Sequence, residues 1–321
     1  MIKEIYRSKK AQSKKFIIIG CGSAGINDIS SDMQGISSEI KTIGIDLDAC
    51  RVKTGETQKK LWLGKKIAKG FGAGGNPEVA KMVAENEGSL LQSLISTGDI
   101  CLITAGLGGG TGSGIAPVIS RIAHEKGAHC LGLFSTPLLV EKRRVQIAYH
   151  SLEKLPELCS TIIFDLEIIK TLVLPDSNSN IIMGSLYRMH TIKQEIIREL
   201  LYHFTDNELI KIIPVEYEDL IVLLDKKGLG TVCIGESSEP NRVQGVVRNC
   251  LSNLFCNMNV LKASGILILI TGGYDLDLFE CHVITDTLTQ WIDIHTDVVY
   301  GARVEKRMEG KIRVMMMIMG T

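Results

Sequence analysis

Aromatic side chains are scarce. Phe, Tyr and Trp make up 5% of the 321 residues, too few to interleave with basic residues as a base-stacking platform for nucleic acid. A surplus of one charge is missing too: 36 basic and 36 acidic residues cancel, so no global field draws the chain to polyanions or anionic bilayers. Long hydrophobic runs are absent. The longest, near Gly265–Ile270 and Val314–Met319, fall far short of the ~20 residues a membrane-spanning helix needs, which excludes direct membrane insertion. The nine cysteines include no CxxC pair, and neither Cys250 with Cys256 nor Cys281 beside His282 has zinc-site spacing. Met1–Lys15 carries six Lys/Arg but no apolar signal core, so the odd cysteine count predicts reduced thiols in a cytoplasmic protein. No Ser-His-Asp, HExxH or Cys-His set is present, and no metal-ligand cluster.

Glycine is what the chain has in quantity, and its placement is informative. The run Thr104-Ala105-Gly106-Leu107-Gly108-Gly109-Gly110-Thr111-Gly112-Ser113-Gly114 follows an apolar strand pattern, Ile100–Ile103, and precedes a helix pattern from Ile115. A strand that breaks into glycines and then opens a helix leaves free backbone N–H groups at the positive end of a helix dipole, an anion site. Glycine allows close backbone approach and positive φ there, and the Thr111 and Ser113 hydroxyls add donors for phosphate oxygens. The bland alternative is a glycine-rich turn without a ligand.

Two further loops have the same character. Gly20-Cys21-Gly22-Ser23-Ala24-Gly25 follows the first strand pattern and satisfies G-x-G-x-x-G, with Asp46 and Asp48 near the end of the second strand. Alone, this fits an NAD-dependent oxidoreductase of dinucleotide-binding type. Lys69–Glu78 is the third loop: Ala73, Gly74 and Gly75 lead to Asn76 as helix N-cap and Pro77 at the first helical position. Three phosphate-type loops on one sheet edge suit a triphosphate better than a nicotinamide dinucleotide.

The strand patterns Phe16–Ile19, Thr42–Ile45, Ile100–Thr104, Cys130–Phe134 and Thr161–Phe164 alternate with helix patterns that include Pro77–Leu94 and Ile115–Lys126. This predicts an α/β fold: an N-terminal doubly wound parallel sheet over residues 1–185. A long connecting helix over 186–206 places Ile192, Ile196, Ile197, Leu200 and Leu201 on one stripe. A smaller C-terminal α+β domain follows over 207–321, with helices at Glu216–Lys227 and Val243–Leu254 and strands at Gly265–Thr271, Asp297–Arg303 and Lys311–Met319. Met315, Met316 and Met317 read as a core strand.

The loops together resemble those of the FtsZ/tubulin family of GTP-binding, filament-forming proteins, nearer its FtsZ branch, over nearly the whole chain. Ile19–Asn27 resembles the family's first phosphate-contacting loop, Gly70–Glu78 the loop that senses the γ-phosphate, and Thr104–Pro117 the signature. Ile45–Ala49 is similar to its Asn-Thr-Asp-Ala segment, with Asp46 for the usual Asn. Pro137–Arg144 resembles the ribose-contacting segment, without the glycine that usually follows Glu141, so that Arg144 becomes the arginine partner. The resemblance implies GTP or GDP with Mg²⁺, bound through Gly20, Cys21, Gly22, Ser23, Asn27, Asp48, Ala73, Gly74, Gly75, Asn76, Gly106, Gly108, Gly109, Gly110, Thr111, Gly112, Ser113, Pro137, Glu141 and Arg144. Asp165 stands where the family has a guanine-contacting Asn. The acid expected at the start of the connecting helix is replaced near Tyr187 and Arg188, and Tyr187 is a candidate for stacking on the base. The resemblance also implies a head-to-tail homopolymer in which Glu216 and Asp219 complete the hydrolytic site of the next subunit. Read without it, the two acids are helix-start residues favoured by the dipole. A filament that binds GTP with little hydrolysis is the alternative. The family's adaptor-binding tail is not visible before Thr321.

Overall fold

The computed structural model describes residues 15–172, 181–206, 210–256, 262–290 and 292–320. The basic stretch Met1–Lys15 lies, except for Lys15, outside the described residues. Six parallel strands form the N-terminal half of the sheet: β1 (Phe16–Cys21), β2 (Ile40–Asp46), β3 (Lys59–Trp62), β4 (Ile100–Gly106), β5 (His129–Thr136) and β6 (Ser160–Asp165). Their order is β3-β2-β1-β4-β5-β6. That is the doubly wound order, with its switch point between β1 and β4. The glycine loops after β1 and β4 are therefore set side by side.

Short helices follow the first two strands: α1 (Gly22–Asn27) and α2 (Ala49–Thr54). The helical pattern at 77–94 is two helices, α3 (Pro77–Asn86) and α4 (Gly88–Gln92), broken at Glu87, whose ψ of 21° leaves helical geometry. The helix expected from Ile115 starts earlier: α5 spans Gly110–Glu125 and takes three signature glycines into its first turns. Next come α6 (Lys142–Leu152), α7 (Leu155–Leu158) and α8 (Leu166–Thr171).

The connecting helix α9 (Ile181–Thr205) begins five residues before the expected boundary. Its stripe of Ile192, Ile196, Ile197, Leu200 and Leu201 is buried against one face of the sheet, beside Leu102, Leu133 and Phe164. On the opposite face α3 and α5 bury Val83, Ile115 and Ile119 against Ile17, Ile19 and Ile103.

The C-terminal half contains β7 (Ile210–Ile213), α10 (Tyr217–Leu224), β8 (Leu229–Ser237), α11 (Arg242–Ser252), β9 (Gly265–Gly272), α12 (Leu278–Thr289), β10 (Asp297–Val304) and β11 (Ile312–Met319). Its strands run β8-β11-β9-β10-β7, with β11 antiparallel to both neighbours, a mixed sheet as an α+β domain requires. It is not a separate sheet. Two residue pairs, Thr161 with Leu229 and Ile162 with Gly230, continue the N-terminal sheet into β8. The strands β3, β7 and β8 escaped sequence reading: β3 and β7 have four residues each, and β8 is interrupted by Gly230 and Gly235. No helix among the described residues is long and apolar enough to cross a membrane.

Candidate nucleotide site

The three glycine loops meet at the carboxyl ends of β1 and β4. A Cβ on Gly22, at φ 73°, would lie 3.0 Å from the Gly112 nitrogen, and one on Gly110 would lie 2.8 Å from the Asn76 nitrogen. Gly112 and Gly114 pack so tightly that a Cβ would lie 2.4 Å from the Gly106 and Pro77 carbonyl oxygens. The helical signature glycines therefore serve backbone-to-backbone packing of α5 against β4 and α3, a role the sequence reading assigned to phosphate contact alone.

Positive φ falls elsewhere. Gly108 has φ 92°, and a Cβ there would meet the Arg144 carbonyl oxygen at 2.8 Å. Gly109, the N-cap of α5, has φ −92° and open space where a Cβ would stand. Gly74 and Gly75 also combine positive φ with open space. Gly109, Gly74 and Gly75 are thus the loop positions that border open space. Gly108→Val should lower stability by about 2–3 kcal/mol, since it combines left-handed strain with a backbone clash. Gly109→Val should cost less than about 1 kcal/mol without ligand. Urea unfolding of both variants checks the order; equal losses would contradict it.

Several predicted site residues also hydrogen-bond within the protein. Ser113 is buried, and its Oγ accepts the Gly108 N–H at 2.9 Å, which fixes the hydroxyl at the turn before α5. Ser23 Oγ donates to Asp46 Oδ2 at 2.9 Å, and Asp46 Oδ1 accepts the Leu47 and Asp48 N–H groups. Asp48 caps α2 through the Cys50 and Arg51 N–H groups. The two acids that made a dinucleotide site arguable therefore hold the turn after β2. Cys21 is buried, and burial, followed by the nearby Asp46 charge, pushes its thiol up. Asn76 caps α3 through Glu78, as its position predicts. Asn27 is exposed, and its backbone carbonyl accepts from Gln194 of α9. Thr111 is half-buried in the first turn of α5.

Beside Gly106 lies a cavity of about 260 Å³, lined by Pro137, Glu141 and Arg144 on one side and Leu186, Met189 and His190 of α9 on another. Glu141 Oε1 pairs with Arg144, and its Oε2 accepts the Leu138 N–H. Ala73 lies apart from this cavity, in the third loop against the Gly110 position. Asp165 and Tyr187 do not line the cavity. Asp165 caps α8 through the Glu167 N–H, and Tyr187 is 76% exposed, one helical position off the wall formed by Leu186, Met189 and His190.

Glu216 and Asp219 sit at the other end of the sheet. They form a capping box on α10, with the Glu216 N–H donating to Asp219 Oδ2 at 2.9 Å. Tyr217, between them, packs on Phe16, the first residue of β1. Asp225, just past α10, bonds to His129, the first residue of β5, at 2.8 Å. The first glycine loop leaves β1 from its last residue, roughly 17 Å away along a six-residue strand.

Sequence reading missed a buried polar group under the cavity. Asp28 and Lys193 are fully buried, with Lys193 Nζ 3.1 Å from Asp28 Oδ2. Asp28 also accepts from Thr104 and bonds to His190 Nδ1. Burial would raise the Asp28 carboxyl, but Lys193, His190 and Thr104 reverse this and hold it low. Burial pulls the Lys193 ammonium down against the Asp28 charge. With three donors on Asp28, the pair is ionised. The signal was available: Lys193 lies three and four residues before Ile196 and Ile197, on the stripe that faces the core, where a charge needs a partner.

A doubly wound sheet with converging glycine loops at its switch point, joined by a long helix to a mixed-sheet domain, defines a two-domain protein built around a mononucleotide site. The chain belongs to the FtsZ/tubulin family. Residues 15–165 match the Tubulin/FtsZ family GTPase domain, and residues 228–321 match the FtsZ family C-terminal domain. It is 33% identical over 308 residues to cell division protein FtsZ 2 of Halobacterium salinarum, covering 95% of this chain and 76% of that protein. It is also 33% identical to cell division protein FtsZ 2 of Methanocaldococcus jannaschii, covering 95% and 80%. An empty FtsZ dimer structure from M. jannaschii superposes with a TM-score of 0.87 at 28% identity, over 99% of this chain and 92% of that one.

Proposed function

We propose that this chain binds GTP at the switch-point loops, assembles head to tail into filaments, and hydrolyses GTP where one subunit meets the next. The observation that carries the reading is the convergence of three glycine loops on open space at Gly109, Gly74 and Gly75, next to the Glu141–Arg144 cavity. Backbone N–H groups at the α5 N-terminus would face the phosphates, and Glu141 and Arg144 the ribose. Mg²⁺ would offset phosphate charge.

The opposite-end placement of Glu216 and Asp219 supports a shared site. Within one subunit the acids and the loops are separated by the length of the sheet. A head-to-tail contact, which does not close, brings them together and propagates as a filament. A filament that binds GTP but hydrolyses it weakly has one observation in its favour: each acid is already engaged in the α10 capping box.

GTP or GDP at 100 times Kd should stabilise the protein by about 2.7 kcal/mol, and NAD should not. Thermal melting with each ligand checks this, and a shift with NAD alone would overturn the reading. Gly109→Val should melt normally without ligand and show no GTP shift, because its side chain fills the space left for phosphate.

A further inference from the structure

The 260 Å³ cavity has charged Glu141 and Arg144 on one side, the Ser135 and Thr136 hydroxyls at the end of β5, and His190 on α9, between apolar walls that include Leu166, Leu186 and Met189. His190 is fixed from behind. Its Nδ1 faces Asp28, which takes Lys193 Nζ at 3.1 Å; that ammonium also lies 3.4 Å from the Ala105 carbonyl and the Ser135 hydroxyl. A carboxylate only accepts hydrogen bonds, so Nδ1 carries the proton, and Nε2 is the remaining acceptor of the neutral ring. Nε2 has no hydrogen-bond partner among the described residues. Two other candidates for reading a base lie off the cavity wall: Asp165, which caps α8 through Oδ1, and Tyr187. Arg188, which follows Tyr187, supplies no acceptor.

We propose that His190, oriented by the buried Asp28–Lys193 pair, is the specificity-determining residue for the base, accepting an N–H from guanine through Nε2. Guanine offers N1–H and its 2-amino group as donors. Adenine has an acceptor at N1 and no group at C2. A purine between Leu166 and Leu186, with its ribose toward Glu141 and Arg144, presents this edge to α9. The proposal rests on the nucleotide-binding reading above.

The test is calorimetric titration of the full chain with GTP and with ATP. The native protein should prefer GTP. His190→Leu, which suits the apolar wall, should lose about tenfold in GTP affinity with ATP affinity unchanged. His190→Gln, whose amide oxygen accepts, should keep part of the preference. Melting without ligand checks that both variants fold, and His190→Gln carries the test if His190→Leu does not. An unchanged GTP-to-ATP ratio in the folded variants would overturn the proposal and leave GTP binding intact. An equal loss of both nucleotides would also overturn it, because His190 would then be structural only. Failure of the native chain to bind either nucleotide would remove the underlying reading instead.

Discussion

Glu216→Gln and Asp219→Asn should each bind GTP as the native chain does and release phosphate 10²- to 10⁴-fold more slowly, the cost of losing a water-positioning carboxylate. Binding is spared because α10 lies against the start of β1, through Tyr217 on Phe16, while the first glycine loop leaves its end. The substitutions are close to isosteric. In Asp219→Asn the amide oxygen that replaces the carboxylate still accepts the Glu216 N–H, so the helix start and its stability should hold to within about 1 kcal/mol. Filaments should form and persist longer, since the GTP in them is not consumed. In the native chain, turnover per subunit should rise with protein concentration above an assembly threshold, because a site built from two subunits exists only in the filament. Phosphate release measured across a concentration series settles both points. Flat turnover, or normal hydrolysis in both variants, would return Glu216 and Asp219 to helix capping alone.

The parallel half of the sheet was legible because its strands are short, buried on both faces and separated by glycine loops. Phe16–Cys21, Ile100–Gly106 and His129–Thr136 each exceed the expected span by only two or three residues. The strands that escaped were those whose pattern is set by neighbours. Ile210–Ile213 pairs only with the edge of β10, and Leu229–Ser237 spaces its glycines where Ile318 and Cys250 approach. The site was legible as a set of loops and less so atom by atom. Spacing cannot show that Gly110, Gly112 and Gly114 serve helix packing while Gly109 faces open space, because each role requires the absence of a Cβ. Nor does it show that Ser23 and Asp46 bond to each other, or that Ser113, Asp48 and Asp165 each accept backbone N–H groups of the adjoining turns. On α9 the informative side chains, His190 and Lys193, lie about one and two turns beyond Tyr187, the position to which the family resemblance points.

Asp28→Asn should destabilise the fold by about 3–5 kcal/mol near neutral pH, the cost of leaving a buried ammonium without its counter-charge. Lys193 is fully buried, and its remaining neighbours are the neutral Thr104, Ser135 and Ala105 oxygens at 3.4–3.5 Å. The double variant Asp28→Ala, Lys193→Met should recover most of the loss, because apolar groups in a core avoid the desolvation that the ion pair must offset. The pH dependence separates this pair from the rest of the molecule. The Asp28 carboxyl is lower in the folded than in the unfolded chain, so its contribution is complete above the unfolded value of about 4 and is lost as pH falls through the lower folded value. The gap between native and Asp28→Asn proteins should therefore stay constant from pH 7 to about 5 and narrow only in stronger acid. Both proteins should weaken together over a higher window because of His203. Burial, and then the Arg303 and Lys211 charges against the pull of Glu199, lowers that imidazole to about 3. Its contribution is complete above about 6.5 and is lost as pH falls toward 3, since the unfolded chain takes up the proton first. Urea unfolding at pH 7, 5.5 and 4 measures both effects. A gap under 1 kcal/mol at pH 7, or one that already closes between pH 7 and 5.5, would mean that Asp28 does not hold Lys193 as a charged pair.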